Sequence, residues 1–114
     1  MEMTVTLDSI AAQFAALASP PRLQIIRLLL AAYGLGGLTV GEIQTELGMP
    51  GSTLNHHLGK LERAGLVTFR REGRSIRYAA HAAGLREMLN FLFQECCTRS
   101  EIVSTADLAV GRKI

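Results

Sequence analysis

The chain has 114 residues, with 12 Lys and Arg against 10 Asp and Glu, a formal net charge of +2, and 48% apolar residues of which only two are Tyr, four Phe and none Trp. That length holds one domain around one core and excludes two, and the core it predicts is Leu, Ile, Val and Ala on helices. The longest apolar run, Ile25 to Gly37 with Arg27 inside it, falls short of the ~20 residues that span a bilayer, and the first residues carry Glu2 and Asp8 without a basic stretch, so a soluble, cytoplasmic protein without a membrane partner is expected.

Met1 to Thr6 reads as a frayed end. Thr6 or Asp8 can cap a first helix over 7–18, with Ile10, Phe14 and Leu17 on one face at i, i+4 and i+7. Ser19-Pro20-Pro21-Arg22 stops and restarts the chain, with Ser19 as N-cap and proline at the first helical position. The second helix, Pro21 to Tyr33, is apolar nearly all round (Leu23, Ile25, Ile26, Leu28, Leu29, Leu30) and is expected to be the central buried helix. Gly34-Leu35-Gly36-Gly37 reads as a loop. Thr39, with Glu42 three residues on, forms a capping box for a third helix that turns Val40, Ile43 and Leu47 inward.

Gly48 closes that helix, and Met49-Pro50-Gly51-Ser52 makes a short turn with Pro50 suited to a first helical turn. In the helix that follows, Leu54, Leu58 and Leu61 face inward, with His57 and Ala64 on the flank. Ser52, His56, Gly59, Lys60 and Arg63 lie on the opposite face, which carries no acid. A helix, a tight Gly-containing turn and a polar-faced helix over 39–64 form a helix-turn-helix pattern, whose second helix enters the major groove of double-stranded DNA.

Residues 66–79 contain two β-prone runs around Glu72-Gly73-Arg74, which predicts a hairpin. A basic hairpin directly after such a helix is a wing, and Arg71, Arg74 and Arg77 are its candidate phosphate or minor-groove contacts, positioning the protein more than reading sequence. Between Lys60 and Arg77 stand six basic residues against Glu62 and Glu72. The positive charge is therefore concentrated where a phosphate backbone would be met.

A last helix, 82–97, carries the stripe Leu85, Met88, Leu89, Leu92, Phe93 and Cys96. A three-helix-and-wing core does not need it, so it and the first helix are assigned to packing against a second copy of the chain. Residues 98–114 are a polar tail or a short extra helix. The expected fold is mainly α with a β-hairpin: one winged helix-turn-helix domain over 1–114, with about five helices, dimerising through the first and last. No acid is paired with a histidine and no phosphate-binding glycine loop follows a strand, so the chain is not read as an enzyme.

Ala18 to Leu29, Gly51-Ser52-Thr53-Leu54-Asn55-His56-His57-Leu58, Leu61-Glu62-Arg63-Ala64-Gly65-Leu66-Val67 and Arg70-Arg71-Glu72-Gly73-Arg74 closely resemble the ArsR/SmtB family of metalloregulatory winged-helix repressors. The likeness runs from roughly Phe14 to Cys97. It implies a homodimer that sits on operator DNA and leaves it when an effector binds. Carried over, Ser52, Thr53, Asn55 and His56 would face bases or adjoining phosphates, and Arg71, Arg74 and Arg77 would serve the wing. Lys60 and Arg63 join them from the charge of the outer face. The family often has Gln at Gly51 and Arg at His56.

The resemblance also directs the search for an effector site. Arsenic repressors of the family have Cys-Val-Cys where this chain has Thr39-Val40-Gly41. Zinc sensors carry Asp and His pairs along a last helix that here holds no histidine, His81 standing alone ahead of it. His56 and His57 are neighbours on a helix and diverge by about 100°. What remains is Cys96-Cys97, the only cysteines, an adjacent pair that in a cytosolic protein argues for metal or redox chemistry rather than a structural disulfide. Ile102, Val103 and Ser104 stand where related repressors place a third cysteine. No resident cofactor is required. The expected effector is trivalent arsenic, as arsenite or an organoarsenical, on Cys96 and Cys97. The alternatives are a redox response and cadmium or zinc on four thiolates from two chains. Convergence of the two thiols requires the helix to unwind there, which is the expected switch.

Overall fold

The structure, a computed structural model, describes residues 6–98, with side chains described through residue 94. Five α-helices and three short strands follow one another as α1 (Leu7–Leu17), α2 (Pro20–Ala31), a 3-10 turn (Tyr33–Leu35), β1 (Leu38–Thr39), α3 (Val40–Leu47), α4 (Gly51–Arg63), β2 (Val67–Glu72), β3 (Ser75–Ala80) and α5 (Ala82–Thr98). Local chemistry sets most of these boundaries. Thr6 caps α1 reciprocally with Ser9, Ser19 caps α2 with prolines in its first turn, and Thr39 and Glu42 exchange hydrogen bonds of 3.2 and 2.8 Å at the start of α3. Each satisfies amide groups that the first helical turn leaves unpaired. Gly48 ends α3 with φ +63. Pro50 stands at the N-cap of α4 in extended backbone, one step before the first-turn place expected for it.

The core gathers Ile25 and Leu29 of α2, Ile43 of α3, Leu54, Leu58 and Leu61 of α4, then Leu66 and Val67, all fully buried. At ~1.5–3 kcal/mol for each such side chain, the three leucines of α4 are the main reason its polar face points outward.

Two helices bury other faces than their apolar residues predict. The buried face of α1 is Ile10, Gln13 and Ala16, whereas Phe14 is exposed and Leu17 half-buried. The small and amide residues allow close approach, and the larger ring is turned out. Helix α2 buries Ile25, Ile26 and Leu29, but Leu23 and Leu30 are about half-exposed. An all-round apolar helix is covered on one side only within a single chain.

The hairpin expected after α4 is present as β2 and β3, and β1 extends it into a three-stranded antiparallel sheet in the order β1-β3-β2. The stretch read as a loop leads into β1, pairing Leu38 with Tyr78 and Thr39 with Arg77. Gly36 and Gly37, at φ +81 and +99, turn the chain into that pairing. A two-residue strand carries no alternation that a sequence pattern could reveal.

Candidate nucleic-acid interface

Helix α4 presents two unlike faces. Leu54, Leu58 and Leu61 are buried, while Ser52, Thr53, Asn55, His56, Lys60 and Arg63 are exposed. One carboxylate, Glu62, is exposed near the C-terminal end of the helix, and the exposed set splits along the axis. Ser52, Thr53, Asn55 and His56 occupy the N-terminal turns, the end that a recognition helix points at base edges. Lys60 and Arg63 sit in the last turn and line a cleft of about 290 Å³ with Ala12, Ala15 and Ala16 of α1 and Arg22 of α2. At 1.5 Å per residue, the two ends stand roughly 16 Å apart. The Arg63 guanidinium folds back over Gly59, 3.2 Å from where a Cβ would stand.

Helix α4 is tethered by an interaction that periodicity does not reveal. Arg22 donates from Nε to the carbonyl of Ala16 and from Nη1 to Nδ1 of His57, at 3.1 Å in the second case. A guanidinium has no acceptor, so Nδ1 of His57 is bare and its proton sits on Nε2. Burial, then the charges of Arg22, His56 and Lys60, hold the His57 pKa below its ordinary value. Just past its C-terminal end, α4 is tied to the start of α5. His81 donates from Nδ1 to the Gly65 carbonyl at 2.8 Å, and a Cβ on Gly84 would collide with that same carbonyl. His81 thus has a structural role.

In the wing, strands β2 and β3 pair from Val67 with Ala80 to Glu72 with Ser75, and Gly73, at φ +61, makes the turn between them. The Phe69 and Tyr78 rings meet across one face at a tilt of 45°, with centroids 5.6 Å apart. On the other face Glu72 accepts from Arg77 Nε and Arg70 Nε, both at 3.0 Å, and these bonds, Arg77 first, hold its carboxyl below the usual carboxylate range. Arg77 also donates to the Gly37 carbonyl at 3.0 Å, with Glu42 4.0 Å away. Arg77, a candidate wing contact in the sequence, is thus engaged within the chain, where it ties β3 to the segment entering β1. Arg71 and Arg74 are exposed and have no ion pair among the described residues. Sequence reasoning missed the Arg22–His57 contact and the Arg70–Glu72–Arg77 cluster. The signal available for the second was the antiparallel register, which places Arg70 opposite Arg77.

Positions 96 and 97 fall in the last turn of α5. The Cys96 and Cys97 side chains lie outside the described residues, and of the tail expected over 98–114 only Thr98 is described, as the last residue of α5. Among the described residues, no helix is long and apolar enough to cross a membrane.

Comparison with known proteins agrees with this geometry. A family model described as "Helix-turn-helix domain" matches residues 17–69. The transcriptional activator HlyU of Vibrio cholerae is 33% identical over 86 residues, covering 75% of this chain and 76% of that protein. Its solved structure superposes with a TM-score of 0.64 at 30% identity, over 83% of this chain and 99% of that one. The biofilm growth-associated repressor of Xylella fastidiosa is 28% identical over 100 residues, 88% of this chain and 84% of that protein. The homodimeric winged helix-turn-helix DNA-binding domain of Mb0332 from Mycobacterium bovis, described as a possible ArsR-family regulator, gives a TM-score of 0.61 at 33% identity over 84% of this chain and 83% of that one. The relatives are transcription regulators rather than enzymes. With the helix-turn-helix, the three-stranded wing and the shared length, they place this chain in the ArsR family of winged helix-turn-helix transcriptional regulators.

Proposed function

We propose that the protein is a homodimeric repressor that reads operator DNA with α4, grips the flanking backbone with its wing, and is released by chemistry at Cys96 and Cys97. The observation that carries the DNA reading is the outer face of α4. Ser52, Thr53, Asn55 and His56 are exposed on the N-terminal turns of a helix whose opposite side is locked into the core. Asn can pair with adenine in the major groove, Ser and Thr with either base type or a phosphate, and His56 can donate to an acceptor edge or a phosphate. Arg71 and Arg74 supply backbone contacts, with Lys60 and Arg63 behind them. Arg77 is left out of this set because its guanidinium is already bound to Glu72 and Gly37.

Pairing of two chains through α1 and α5 is supported by the exposure of Leu7, Leu89, Leu92 and Phe93. Repression follows from a dimer occupying DNA that polymerase needs. The effector we infer is trivalent arsenic, a soft thiophile suited to the adjacent thiols, with thiol oxidation or a soft metal ion as the second reading. Helix α5 includes both cysteine positions, so joint ligation by two successive residues requires its last turn to open. That opening would disturb the helix that joins the two recognition units.

Fluorescence anisotropy of the reduced protein on DNA from its own upstream region tests the whole reading. Arsenite or methylarsenite is expected to release the wild type and to leave a Cys96→Ser/Cys97→Ser double variant bound. Equal release of both proteins rejects the thiol site, and absence of DNA binding rejects the repressor.

A further inference from the structure

His57 lies midway along α4, on the flank between its buried leucines and its outer face, and its Nδ1 meets Arg22 Nη1 of α2 at 3.1 Å. Arg22 in turn is held by the Ala16 carbonyl at the end of α1. The pair therefore links three elements: the two that form the α1–α2 corner, and the helix offered to DNA.

We propose that Arg22 and His57 are positioning residues for DNA reading, a neutral His57 imidazole seating α4 on the α1–α2 corner and its protonation unseating it. The inference rests on α4 being the helix that meets DNA.

The chemistry runs one way. Arg22 can only donate, so the contact exists only while Nδ1 keeps its lone pair. A solvent proton taken up at Nδ1 replaces the acceptor by a second donor and sets a cation against a cation. Among the described residues, the charged and titratable groups that act on His57 are Arg22 from α2 and His56 and Lys60 from α4; α1 brings the Ala16 carbonyl, which Arg22 already occupies. None of these is an acid that could hold an imidazolium. The consequence falls on neighbours along the same helix, because His56 and Asn55 directly precede His57 and move with its backbone.

Sign separates this effect from ordinary DNA electrostatics. Protonation of any group close to phosphates adds positive charge and strengthens binding as pH falls. His57 does the reverse. Its neutral form is the competent one, so its contribution is present above the ordinary histidine pKa of about 6.5 and is lost as pH falls through the lower folded value.

Two measurements decide the matter. Nitrogen-15 NMR of the free protein at about pH 7.5, above the ordinary histidine range, should show His57 protonated on Nε2 alone, with a titration midpoint below about 6.5. A proton on Nδ1, or a midpoint at or above that value, overturns the proposal without reference to DNA. Anisotropy on duplex DNA from the chain's upstream region then compares the wild type with His57→Asn, whose amide oxygen stands at the δ position and accepts from Arg22 at every pH. Between about pH 7.5 and about one unit below the measured midpoint, the wild type should lose about tenfold more affinity than the variant. Equal pH dependence overturns the proposal. If His57→Asn does not fold, Arg22→Gln serves instead: the His57 midpoint should rise toward its ordinary value and the extra pH dependence should vanish. Failure of every protein to bind duplex at the upper pH strikes at the DNA reading, while the tautomer and midpoint still decide the Arg22–His57 seat.

Discussion

At the residue scale, Gly37 shows how one backbone conformation fixes the wing. Its φ is +99, and a Cβ there would collide with the carbonyl of Tyr78, the residue that Leu38 pairs with in the sheet. Gly37→Ala is expected to cost about 3 kcal/mol, from strained backbone and disruption of the β1 pairing. Denaturant unfolding of variant and wild type checks it, and a cost under about 0.5 kcal/mol, the range of ordinary surface changes, would mean that β1 is dispensable. Glu72 offers a second check by pH. Its carboxyl is held below the usual range by Arg77 and Arg70, so the cluster is intact above ordinary carboxylate pH and dissolves as pH falls through the lower folded value. The side-chain Nε–H resonance of Arg77 should follow that titration with a midpoint below about 4.3. A resonance indifferent to acid would show that Arg77 and Glu72 do not pair in solution.

At the scale of elements, the helix-turn-helix and the wing contribute differently to binding. Thr39 caps α3 through a reciprocal pair with Glu42, and α3 supports the turn into α4. Thr39→Ala is expected to cost about 1 kcal/mol of stability, seen as a lowered thermal midpoint, with DNA affinity unchanged at temperatures where the protein is folded. The wing has the opposite profile. Arg71→Gln and Arg74→Gln remove exposed cations that make no ion pair among the described residues, so stability should be untouched. Affinity should weaken by a similar factor on operator and unrelated DNA, and the slope of log affinity against log salt should shrink by about 0.9 for each phosphate no longer neutralised. An unchanged slope would remove that arginine from the interface. These elements were largely legible in the residues. The caps at Thr39 and Ser19, the leucine spacing of α4 and the Gly73 turn are local signals within a few residues. Strand β1 was not, since Leu38 and Thr39 gain their partners, Tyr78 and Arg77, from a strand far along the chain.

At the scale of the whole molecule, a single chain leaves apolar surface uncovered. Leu89, Leu92 and Phe93 of α5 are 61%, 50% and 68% exposed, enough to mark an interaction surface rather than scattered apolar residues. Because DNA half-sites are read in pairs by this class of motif, dimerisation and affinity should fall together. Leu89→Asp/Phe93→Asp is expected to sediment as a monomer and to lose more than about tenfold in operator affinity. A variant that remains dimeric would place the interface elsewhere, with the half-exposed Leu23 and Leu30 of α2 the next surface to alter.

The helix-turn-helix, the hairpin after it and the polar face of α4 are legible in the residues, because helical and strand periods and capping residues act over one or two turns of chain. How those residues are employed depends on long-range packing. Arg77 and Arg71 look alike in the sequence, as basic residues of one hairpin. Folding sets Arg77 against Glu72 and the Gly37 carbonyl and leaves Arg71 exposed. His57 likewise reads as a flank residue of α4, and it becomes the acceptor of Arg22 only when α2 packs beside it. Such pairings join residues distant in the chain, and no local period or cap encodes them.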